Sequence, residues 1–349
     1  MKAILLKGPG EVIIEEVPVP EISDDEVLVE VKYCGICGSD IHSIKNCVLV
    51  GEGTYLGHEF SGVVAKLGKN VAGWKIGDRV VTNPSYECGE CYACRHGITG
   101  QCAHGWEHEI GNTPGKDHAG GFAQFVRVPI PHRRLHRLPD EVSFEQGALS
   151  EPLACALHAV KSSDFGIGDQ VMILGAGPIG LGVIAFLRLA GAGLIIATEI
   201  NQKRTEVAKK FGADYVFNPQ TPALKEEILR LTDGKGIDVI FDCSGVAPAF
   251  QSATNFLRRG GQIMLQGIIE EDVKITPMDW TINEWHLQGV MNYGPDDFAM
   301  AINFMKKGAL PVEEMITSKI KLSNIIKDGF EALSKPKHNE VKILVEPDV

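Results

Sequence analysis

The stretch CGICGSDIH, residues 34–42, places two cysteines at a Cys-x-x-Cys spacing and follows them with a serine and a histidine. Such a pair could be a redox dithiol, a pair of zinc ligands, or one metal ligand beside an unrelated cysteine. Other potential ligands lie at His58-Glu59 and at Glu151. A catalytic zinc takes about three protein ligands and keeps one exchangeable position, which a thiolate, an imidazole and a carboxylate would suit. The spacing alone leaves this metal site open, because a lone Cys-x-x-Cys is often structural and Glu151 could simply end a strand.

A second group of cysteines lies within SYECGECYACRHGITGQC and has the pattern Cys-x2-Cys-x2-Cys-x7-Cys. Four thiolates from one short loop can close a tetrahedron around Zn²⁺ and leave no open position, so such a site shapes a loop and does no chemistry. Bacterial ferredoxins begin in the same way, but their fourth cysteine follows after three residues and precedes a proline. Here seven residues intervene and Ala103 follows, which favours structural zinc over an iron–sulfur cluster or metal-free cysteines. The four residues are Cys88, Cys91, Cys94 and Cys102.

The chain also carries a glycine pattern that could bind phosphate, Gly175-x-Gly177-x-x-Gly180, directly after the apolar run VMIL and before a helical stretch. In this context the glycines permit a tight turn, close approach of the backbone to a pyrophosphate, and close packing of helix on strand. Pro178 suits the first position of the helix, where its missing N–H costs nothing. The helix N-terminus then faces the phosphates, so the pattern predicts a dinucleotide site.

An acidic residue, Glu199, ends the following strand 19 residues after Gly180. A carboxylate there accepts hydrogen bonds from the adenosine ribose hydroxyls and repels a 2′-phosphate, which favours NAD over NADP. Lys203 and Arg204 lie close enough downstream to leave that preference open. The alternative is a plain strand–helix turn with a solvated Glu199. The predicted cofactor contacts are Gly175, Gly177, Pro178, Ile179, Gly180, Glu199, Arg204, Ser244 and Gly267.

Two different patterns of secondary structure must position these residues. Up to about residue 150, short runs such as EVLVEVKYCG, GHEFSGVVAKLG and GDRVVTNP are punctuated by glycine and proline, which predicts a β-rich domain with irregular loops. From residue 152 to about residue 291, almost wholly apolar strands alternate with helices, which predicts a parallel sheet covered on both faces. The tail contains two helical stretches, DDFAMAINFMKKG and SNIIKDGFEALS, and then the strand VKILVEP. Since this strand has no partner in the alternating pattern, we expect it to return to the first domain.

Composition argues against several classes of protein. The net charge of −11 argues against nucleic-acid and anionic-membrane partners, because both favour basic surfaces. The N-terminal MKAILLKGPG has too short an apolar run for a signal peptide, so nine cysteines point to a reducing, cytoplasmic setting in which clustered cysteines bind metal. The uncharged run VMILGAGPIGLGVIAFL approaches transmembrane length, but its glycines and proline favour a strand, a turn and a helix.

The whole chain resembles the zinc-dependent medium-chain dehydrogenases through CGICGSDIH, GHEFSGVV, the four-cysteine segment, SEPLACALHAV and GAGPIG. Within that family, the glutamate of SEPLA resembles the sorbitol, threonine and butanediol dehydrogenase branch, and the tail motifs GFEAL and VKILV look most like those of butanediol dehydrogenases. The resemblance implies an α/β fold with a β-rich, GroES-like catalytic domain of residues 1–151 and 292–349. It further implies a doubly wound parallel-sheet (Rossmann) NAD-binding domain of residues 152–291. Zinc, NAD(H), a small alcohol or polyol substrate, and a homodimer or homotetramer are implied with it.

The resemblance also implies a ligand set for the metal. Cys37 and His58 would bind the catalytic zinc, while Glu59 and Glu151 would bind it directly or through its water. For the Cys-x-x-Cys pair of CGICGSDIH, the resemblance thus implies that Cys37 is the metal ligand and that Cys34 is a packed neighbour. A redox pair is disfavoured because no thioredoxin-like βαβ unit surrounds it.

The catalytic roles follow from the same resemblance. Ser39 would accept the proton of the substrate hydroxyl, and His42 would pass it to solvent through the nicotinamide ribose; an imidazole suits this relay because its pKa lies near the operating pH. The implied reaction is oxidation of a secondary alcohol in a polyol, a vicinal diol or a 3-hydroxy amino acid, or the reverse reduction.

Two features depart from the family pattern. Polyol dehydrogenases of this family often have Arg-Tyr where this chain has Asn292-Tyr293, which argues against sorbitol itself as the substrate. The segment AHGWEHEIGNTPGKDHAGG, residues 103–121, is longer than usual and could line a substrate pocket or an oligomer contact. We interpret it as a polar surface loop, because HEIGN lacks the His-Glu-x-x-His spacing of a metal site.

Three other functions are alternatives. The chain could be a zinc-dependent dehydrogenase of simple or cyclic alcohols, a zinc-free reductase of quinones or activated alkenes, or a non-catalytic nucleotide-binding protein of the same fold. The zinc-free class lacks the set of Cys37, His58 and Glu151, and an intact ligand set with an intact proton relay argues against a non-catalytic protein.

Overall fold

The chain forms two compact units. The computed structural model describes residues 1–98, 100–115, 120–335 and 338–348. The first unit combines Met1–Glu151 with Gly294–Val349, and the second consists of Pro152–Tyr293.

Strands dominate the N-terminal part of the first unit, as their alternating apolar residues predict. These strands are β1 (Lys2–Gly8), β2 (Glu11–Glu16), β3 (Val27–Gly35), β4 (Thr54–Tyr55), β5 (Glu59–Leu67), β6 (Arg79–Thr82), β7 (Phe125–Val128) and β8 (Leu135–Arg137). The helices of this part are short, and they are α1 (Gly38–Asn46), α2 (Tyr92–Arg95), α3 (Pro131–Arg134) and α4 (Phe144–Gly147). Helix α5 (Ser150–Lys161) begins in the last two residues of this part and continues into the second unit. One single turn of 3₁₀ helix covers Gly105–Glu107.

The second unit alternates strand and helix. Its elements are β9 (Gln170–Leu174), α6 (Pro178–Leu189), β10 (Leu194–Thr198), α7 (Gln202–Lys210), β11 (Tyr215–Phe217), α8 (Leu224–Leu231), β12 (Ile237–Asp242), α9 (Ala247–Ala253), β13 (Leu257–Leu265), α10 (Pro277–Asn283) and β14 (His286–Gly289). The strands form one parallel sheet in the order β11-β10-β9-β12-β13-β14. The order reverses beside β9, which makes the sheet doubly wound and confirms the predicted α/β class.

The run VMILGAGPIGLGVIAFL divides between β9 and α6 and does not form one long helix. Strand β9 is buried over four of its five residues, and α6 buries its residues from Gly180 to Leu187. The run is apolar because both elements lie inside the unit. Among the described residues, no helix is long and apolar enough to cross a membrane.

The C-terminal part completes the first unit. It contains α11 (Asp297–Lys306), β15 (Ile316–Lys321), α12 (Glu331–Leu333) and β16 (Lys342–Glu346), with 3₁₀ turns at Val312–Met315 and Leu322–Asn324. The stretch SNIIKDGFEALS was expected to be one helix, but it is a 3₁₀ turn, a π-helical turn at Ile325–Phe330 and the short α12. Asp328 and Gly329, which are poor helix formers, lie in the irregular turn.

Strand β16 returns to the N-terminal part, as expected for VKILVEP. It pairs antiparallel with β3, so that Val345 lies opposite Cys34, and parallel with β15. The resulting seven-stranded sheet has the order β15-β16-β3-β5-β6-β8, with β7 also paired to β3, and a smaller sheet has the order β2-β1-β4. The apolar core under the larger sheet includes Cys34, Phe60 and Phe122. The first residue of β16, Lys342, is thereby brought next to the end of β3.

Candidate active site

Cys37 is held at the start of helix α1, immediately after β3. Its backbone N–H donates to Oδ2 of Asp40 at 2.9 Å, which caps the helix N-terminus. Ser39 and His42 lie three positions apart on this helix and therefore share a face. Helix α1 was not predicted from the sequence, where its one signal is Asp40 three positions after Cys37, the spacing of a capping box.

His58 and Glu59 enter the same region from the start of β5. Ligand atoms of Cys37, His58 and Glu59 all lie within 4.8 Å of one another. His58 is 6% exposed and Glu59 is fully buried. Nε2 of His58 lies 3.5 Å from Oγ of Ser39. The structure therefore brings together three of the predicted ligands and the predicted proton acceptor.

The surroundings of His58 carry several negative groups. Burial alone would lower the pKa of His58, but the neighbouring thiol of Cys37 and the carboxylates of Asp40 and Glu151 raise it well above its usual value. Burial also raises the pKa of Asp40 to about 6, against the opposing effect of His58. Nδ1 of His58 is buried and has no hydrogen-bond partner among the described residues. A thiolate, an imidazole and surplus negative charge in a buried cluster fit a zinc ion.

Lys342, at the start of β16, was missed by the sequence analysis. Its Nζ donates to both carboxylate oxygens of Glu59, at 2.7 and 2.6 Å, and to the carbonyl oxygen of Ile36 at 2.9 Å. Burial would lower the pKa of Lys342, but Glu59 and Cys37 raise it. Gly35 leaves the space for this pair, because a Cβ there would lie 2.1 Å from Oε2 of Glu59. The available signal was a lysine within the otherwise apolar run VKILV.

Glu151 lies in the first turn of α5, so it does not end a strand. It is 8% exposed, and its charge acts on both His58 and Lys342. Its carboxylate is not in the group whose ligand atoms lie within 4.8 Å. Cys34, in contrast, is fully buried under the sheet, and burial raises the pKa of its thiol well above the usual value. A thiol in that environment is inert.

The four-cysteine loop forms a second compact cluster. The Sγ atoms of Cys88, Cys91, Cys94 and Cys102 lie within 4.8 Å of one another. Backbone N–H groups of Glu90 and Cys91 donate to Sγ of Cys88, both at 3.3 Å, and lower the pKa of Cys88. Backbone hydrogen bonds also lower the pKa of Cys91 to about 6, whereas burial raises that of Cys94 to about 12. Four sulfurs with backbone donors directed at them fit a structural zinc ion.

The predicted dinucleotide residues gather at the carboxyl ends of β9, β10, β12 and β13. Gly175 has φ +89°, and a Cβ there would lie 2.9 Å from Cα of Ser244. A Cβ at Gly180 would lie 2.0 Å from the carbonyl oxygen of Gly175, and one at Gly267 would lie 2.3 Å from the N of Gly245. Gly177, the N-cap of α6, has nothing within 4 Å of that position, which leaves its backbone open to a ligand.

Glu199 is fixed by backbone N–H groups of the glycine turn and of the two residues that follow it in the chain. Its Oε2 accepts from the N–H of Ala176 at 2.9 Å, and its Oε1 accepts from Ile200 and Asn201 at 2.8 and 2.9 Å. Arg204 follows on α7, where burial lowers the pKa of its guanidinium and Glu199 opposes that effect. Pro178 and Ile179 open α6. The acidic residue expected beside the ribose is therefore held against the glycine turn.

The interpretation of residues 103–121 as a polar surface loop is wrong for part of the segment. Glu109, Ile110 and Thr113 are 5–6% exposed, and Gly111 is also buried. Gly111 is buried because it packs against Gly57, directly before His58, and Ile110 belongs to the apolar core of the first unit. Residues 116–119 lie outside the described part of the chain. No third group of metal-binding side chains occurs in residues 1–98, 100–115, 120–335 and 338–348.

Comparison with known proteins matches both units. A family model described as "Zinc-binding dehydrogenase" matches residues 178–307, and one described as "Alcohol dehydrogenase GroES-like domain" matches residues 23–140. The (R,R)-butanediol dehydrogenase of Bacillus subtilis is 37% identical, with 100% of each chain covered. The sorbitol dehydrogenase of the same organism is 33% identical, with 100% of this chain and 98% of the relative covered. A solved structure of a zinc-binding dehydrogenase of Sinorhizobium meliloti, bound to NADP, matches with 32% identity, a TM-score of 0.89 and 99% of both chains.

Proposed function

Because this chain belongs to the zinc-dependent medium-chain dehydrogenase family, we propose that it oxidises a secondary alcohol of a vicinal diol, a polyol or a 3-hydroxy amino acid to the ketone, or catalyses the reverse reduction. The observation that carries the proposal is the convergence of Cys37, His58 and Glu59 within 4.8 Å, with Ser39 3.5 Å from His58. The family uses zinc and a nicotinamide cofactor, which supply a Lewis acid and a hydride acceptor when bound.

The residues of the chain have separate tasks in this proposal. Cys37 and His58 hold the zinc, and Ser39 receives the proton of the substrate hydroxyl. His42, one turn further along α1, passes the proton on towards solvent. Placing Ser39 and His42 on one short helix fixes the spacing of the two relay groups, which is what an efficient proton transfer requires.

The carboxylates share the remaining ligand position. Lys342 would compete with the zinc for the carboxylate of Glu59, since its Nζ already donates to both oxygens. Glu151 lies near enough to act on His58 and Lys342 electrostatically. We therefore assign the exchangeable carboxylate or water-mediated contact to Glu151 and Glu59 together, with Lys342 deciding how firmly Glu59 binds. Cys88, Cys91, Cys94 and Cys102 hold a structural zinc.

The second unit, Pro152–Tyr293, binds the cofactor in this proposal, and the sequence predicts an NAD-binding domain of residues 152–291. NAD is favoured over NADP because the fixed carboxylate of Glu199 would repel a 2′-phosphate. The cofactor contacts are the glycine turn with Pro178 and Ile179, and Arg204, Ser244 and Gly267.

We also propose a homodimer or homotetramer in the cytoplasm. Strand β14 lies at the edge of its sheet and all four of its residues are exposed, and such edges readily pair with a second chain. None of the nine cysteines, all of which lie in the described part of the chain, forms a disulfide, which suits a reducing compartment. The sedimentation of the purified protein at several concentrations tests the oligomeric state.

The substrate class is argued from relatives and from one departure. The similar proteins include a butanediol dehydrogenase and a sorbitol dehydrogenase, which act on a diol and a polyol. Asn292 stands where many polyol dehydrogenases have an arginine that would hold sugar hydroxyls, so we favour a short diol over sorbitol.

The test is nicotinamide reduction by the purified protein with diols, polyols, threonine and simple alcohols. Each substrate is offered with NAD and with NADP, before and after treatment with a zinc chelator. The proposal requires chelator-sensitive reduction of NAD by a vicinal diol, a polyol or threonine. Activity that survives complete removal of zinc would contradict the metal mechanism, and activity with simple alcohols alone would contradict the substrate class.

A further inference from the structure

The segment of residues 109–113, which follows the four-cysteine loop, is anchored to the body of the first unit. The N–H of Ile110 donates to the carbonyl oxygen of Pro84 at 3.0 Å, and Oγ of Ser85 donates to Oε1 of Glu109 at 3.0 Å. Oγ1 of Thr113 closes the turn by donating to the carbonyl oxygen of Glu109 at 2.9 Å. The turn that contains Gly111 is therefore anchored to the unit at its start and closed on itself by Thr113.

Gly111 lies directly against the backbone of Gly57. A Cβ at position 111 would lie 2.2 Å from the carbonyl oxygen of Gly57 and 2.7 Å from its carbonyl carbon. Gly111 also has φ +79°, a conformation that favours glycine. Both the space and the backbone angle therefore require glycine at this position.

Gly57 is enclosed from its other side by residues 121–122. A Cβ at position 57 would lie 2.4 Å from the N of Phe122, and Gly57 has φ +103°. The N–H of Gly121 donates to the carbonyl oxygen of Gly57 at 2.7 Å. The peptide of Gly57 is thus clamped between Gly111 and residues 121–122, immediately before His58.

We propose that Gly111 is a positioning residue for the metal site: through its backbone contact with Gly57, it fixes the point at which His58 leaves the chain. His58 must project towards Cys37 and Ser39, and a displacement of about 1 Å at a ligand is enough to weaken such a site. The inference rests on the proposed function, because it takes His58 to be a zinc ligand.

The experiment compares Gly111→Ala with two control variants in the same unit. Gly77→Ala introduces a side chain at a similar angle, φ +89°, with nothing within 4 Å. Gly68→Ala introduces a similar clash, 2.3 Å from the carbonyl oxygen of Asp24, and Gly68 does not have a positive φ. The controls separate the effects of backbone strain and of steric clash from an effect on His58.

Zinc release to a chelator and thermal unfolding are measured for each variant. Cys37→Ser serves as the reference for the four-cysteine zinc, because it should retain that ion alone. Gly111→Ala should release the other zinc at least about tenfold faster than the wild type, as expected when a group that orients a ligand is disturbed. Its kcat should fall while the Kd for NADH is unchanged. The controls should lower the unfolding temperature and leave zinc release at the wild-type rate.

A wild-type rate of zinc release from Gly111→Ala, or an equal increase in the controls, would overturn the inference. If Gly111→Ala does not fold, Thr113→Val decides, because it removes the hydroxyl that closes the turn and preserves the shape of the side chain. Faster zinc release from that variant supports the inference, and a wild-type rate overturns it. A wild-type protein that binds only the four-cysteine zinc would overturn the proposed function, and the inference with it.

Discussion

Lys342 and Glu59 form a buried ion pair, although they are 283 positions apart in the chain. The Nζ of Lys342 lies 2.7 and 2.6 Å from the two carboxylate oxygens, and the side chains are 2% and 1% exposed. A further hydrogen bond to the carbonyl oxygen of Ile36 fixes the ammonium group. The pair joins the last strand of the chain to the start of β5, and it holds the carboxylate of Glu59 beside Cys37 and His58.

Replacing Lys342 with methionine should destabilise the protein by about 3–5 kcal/mol, because the carboxylate of Glu59 would be left buried without its cation. The free energy of unfolding in urea measures the effect. The double variant Lys342→Met with Glu59→Gln should be more stable than the single variant, since it removes the uncompensated charge.

The matched control is Lys321→Met, which breaks the pair with Glu346 on the neighbouring strand. That pair is exposed, with 49% and 41% of the side chains accessible, so its loss should cost no more than about 1 kcal/mol. Equal effects of the two lysine substitutions would show that burial of the Lys342 pair has no energetic consequence.

Cys37→Ser should abolish alcohol oxidation and reduce the zinc content by one ion per chain, because it removes the thiolate of the candidate site. Cys34→Ala, three positions earlier, should keep both zinc ions, since Cys34 is packed in the core and its thiol has a raised pKa. Zinc content by elemental analysis and circular dichroism are measured together. Loss of zinc from Cys34→Ala with retention in Cys37→Ser would reverse the assignment of the two cysteines.

The features predicted from sequence are those in which neighbouring residues determine the structure. The alternation of apolar strands and helices gave the parallel sheet, and the glycine turn lies at the end of β9. Lys342 could not be paired with Glu59 in the same way, because their contact depends on β16 returning to β3. The contact of Gly111 with Gly57 is likewise non-local. The polar sequence WEHEIGN predicts an exposed loop and gives no sign that part of it is buried. Helix α1 was missed because only nine residues carry its pattern.

His136 should make the stability of the first unit depend on pH. Its Nε2 is buried and has no partner among the described residues, its ring stacks on Phe298 at 5.2 Å, and burial lowers its pKa below the usual 6.5. The imidazole of His136 therefore takes up a proton near pH 6.5 in the unfolded chain and only at a lower pH in the folded chain. Stability should be complete above pH 6.5 and should decrease as the pH falls from there towards the lower pKa of the folded state.

Thermal unfolding of the wild type and of His136→Phe between about pH 7.5 and about pH 5 tests this dependence. The variant keeps an aromatic ring beside Phe298 and has no titrating group there. Its unfolding temperature should fall less than that of the wild type over this range. The same slope in both proteins would show that His136 is not responsible.

Glu199→Gln should weaken NAD binding and reduce the preference over NADP. The amide has one acceptor oxygen in place of two, so it cannot accept from Ala176 on one side and from Ile200 and Asn201 on the other. Losing the charge-assisted hydrogen bonds that the carboxylate would accept from the adenosine ribose hydroxyls costs about 1.5–3 kcal/mol, so the Kd for NAD should rise at least about tenfold. The Kd for NADP should change less, because the repulsion of its 2′-phosphate is also removed.

Titration of both cofactors by protein fluorescence measures the two Kd values, with the exposed Glu206→Gln on α7 as the control for the lost charge. An unchanged ratio of the two Kd values in Glu199→Gln would mean that another residue selects the cofactor, and Arg204 would be the next to test.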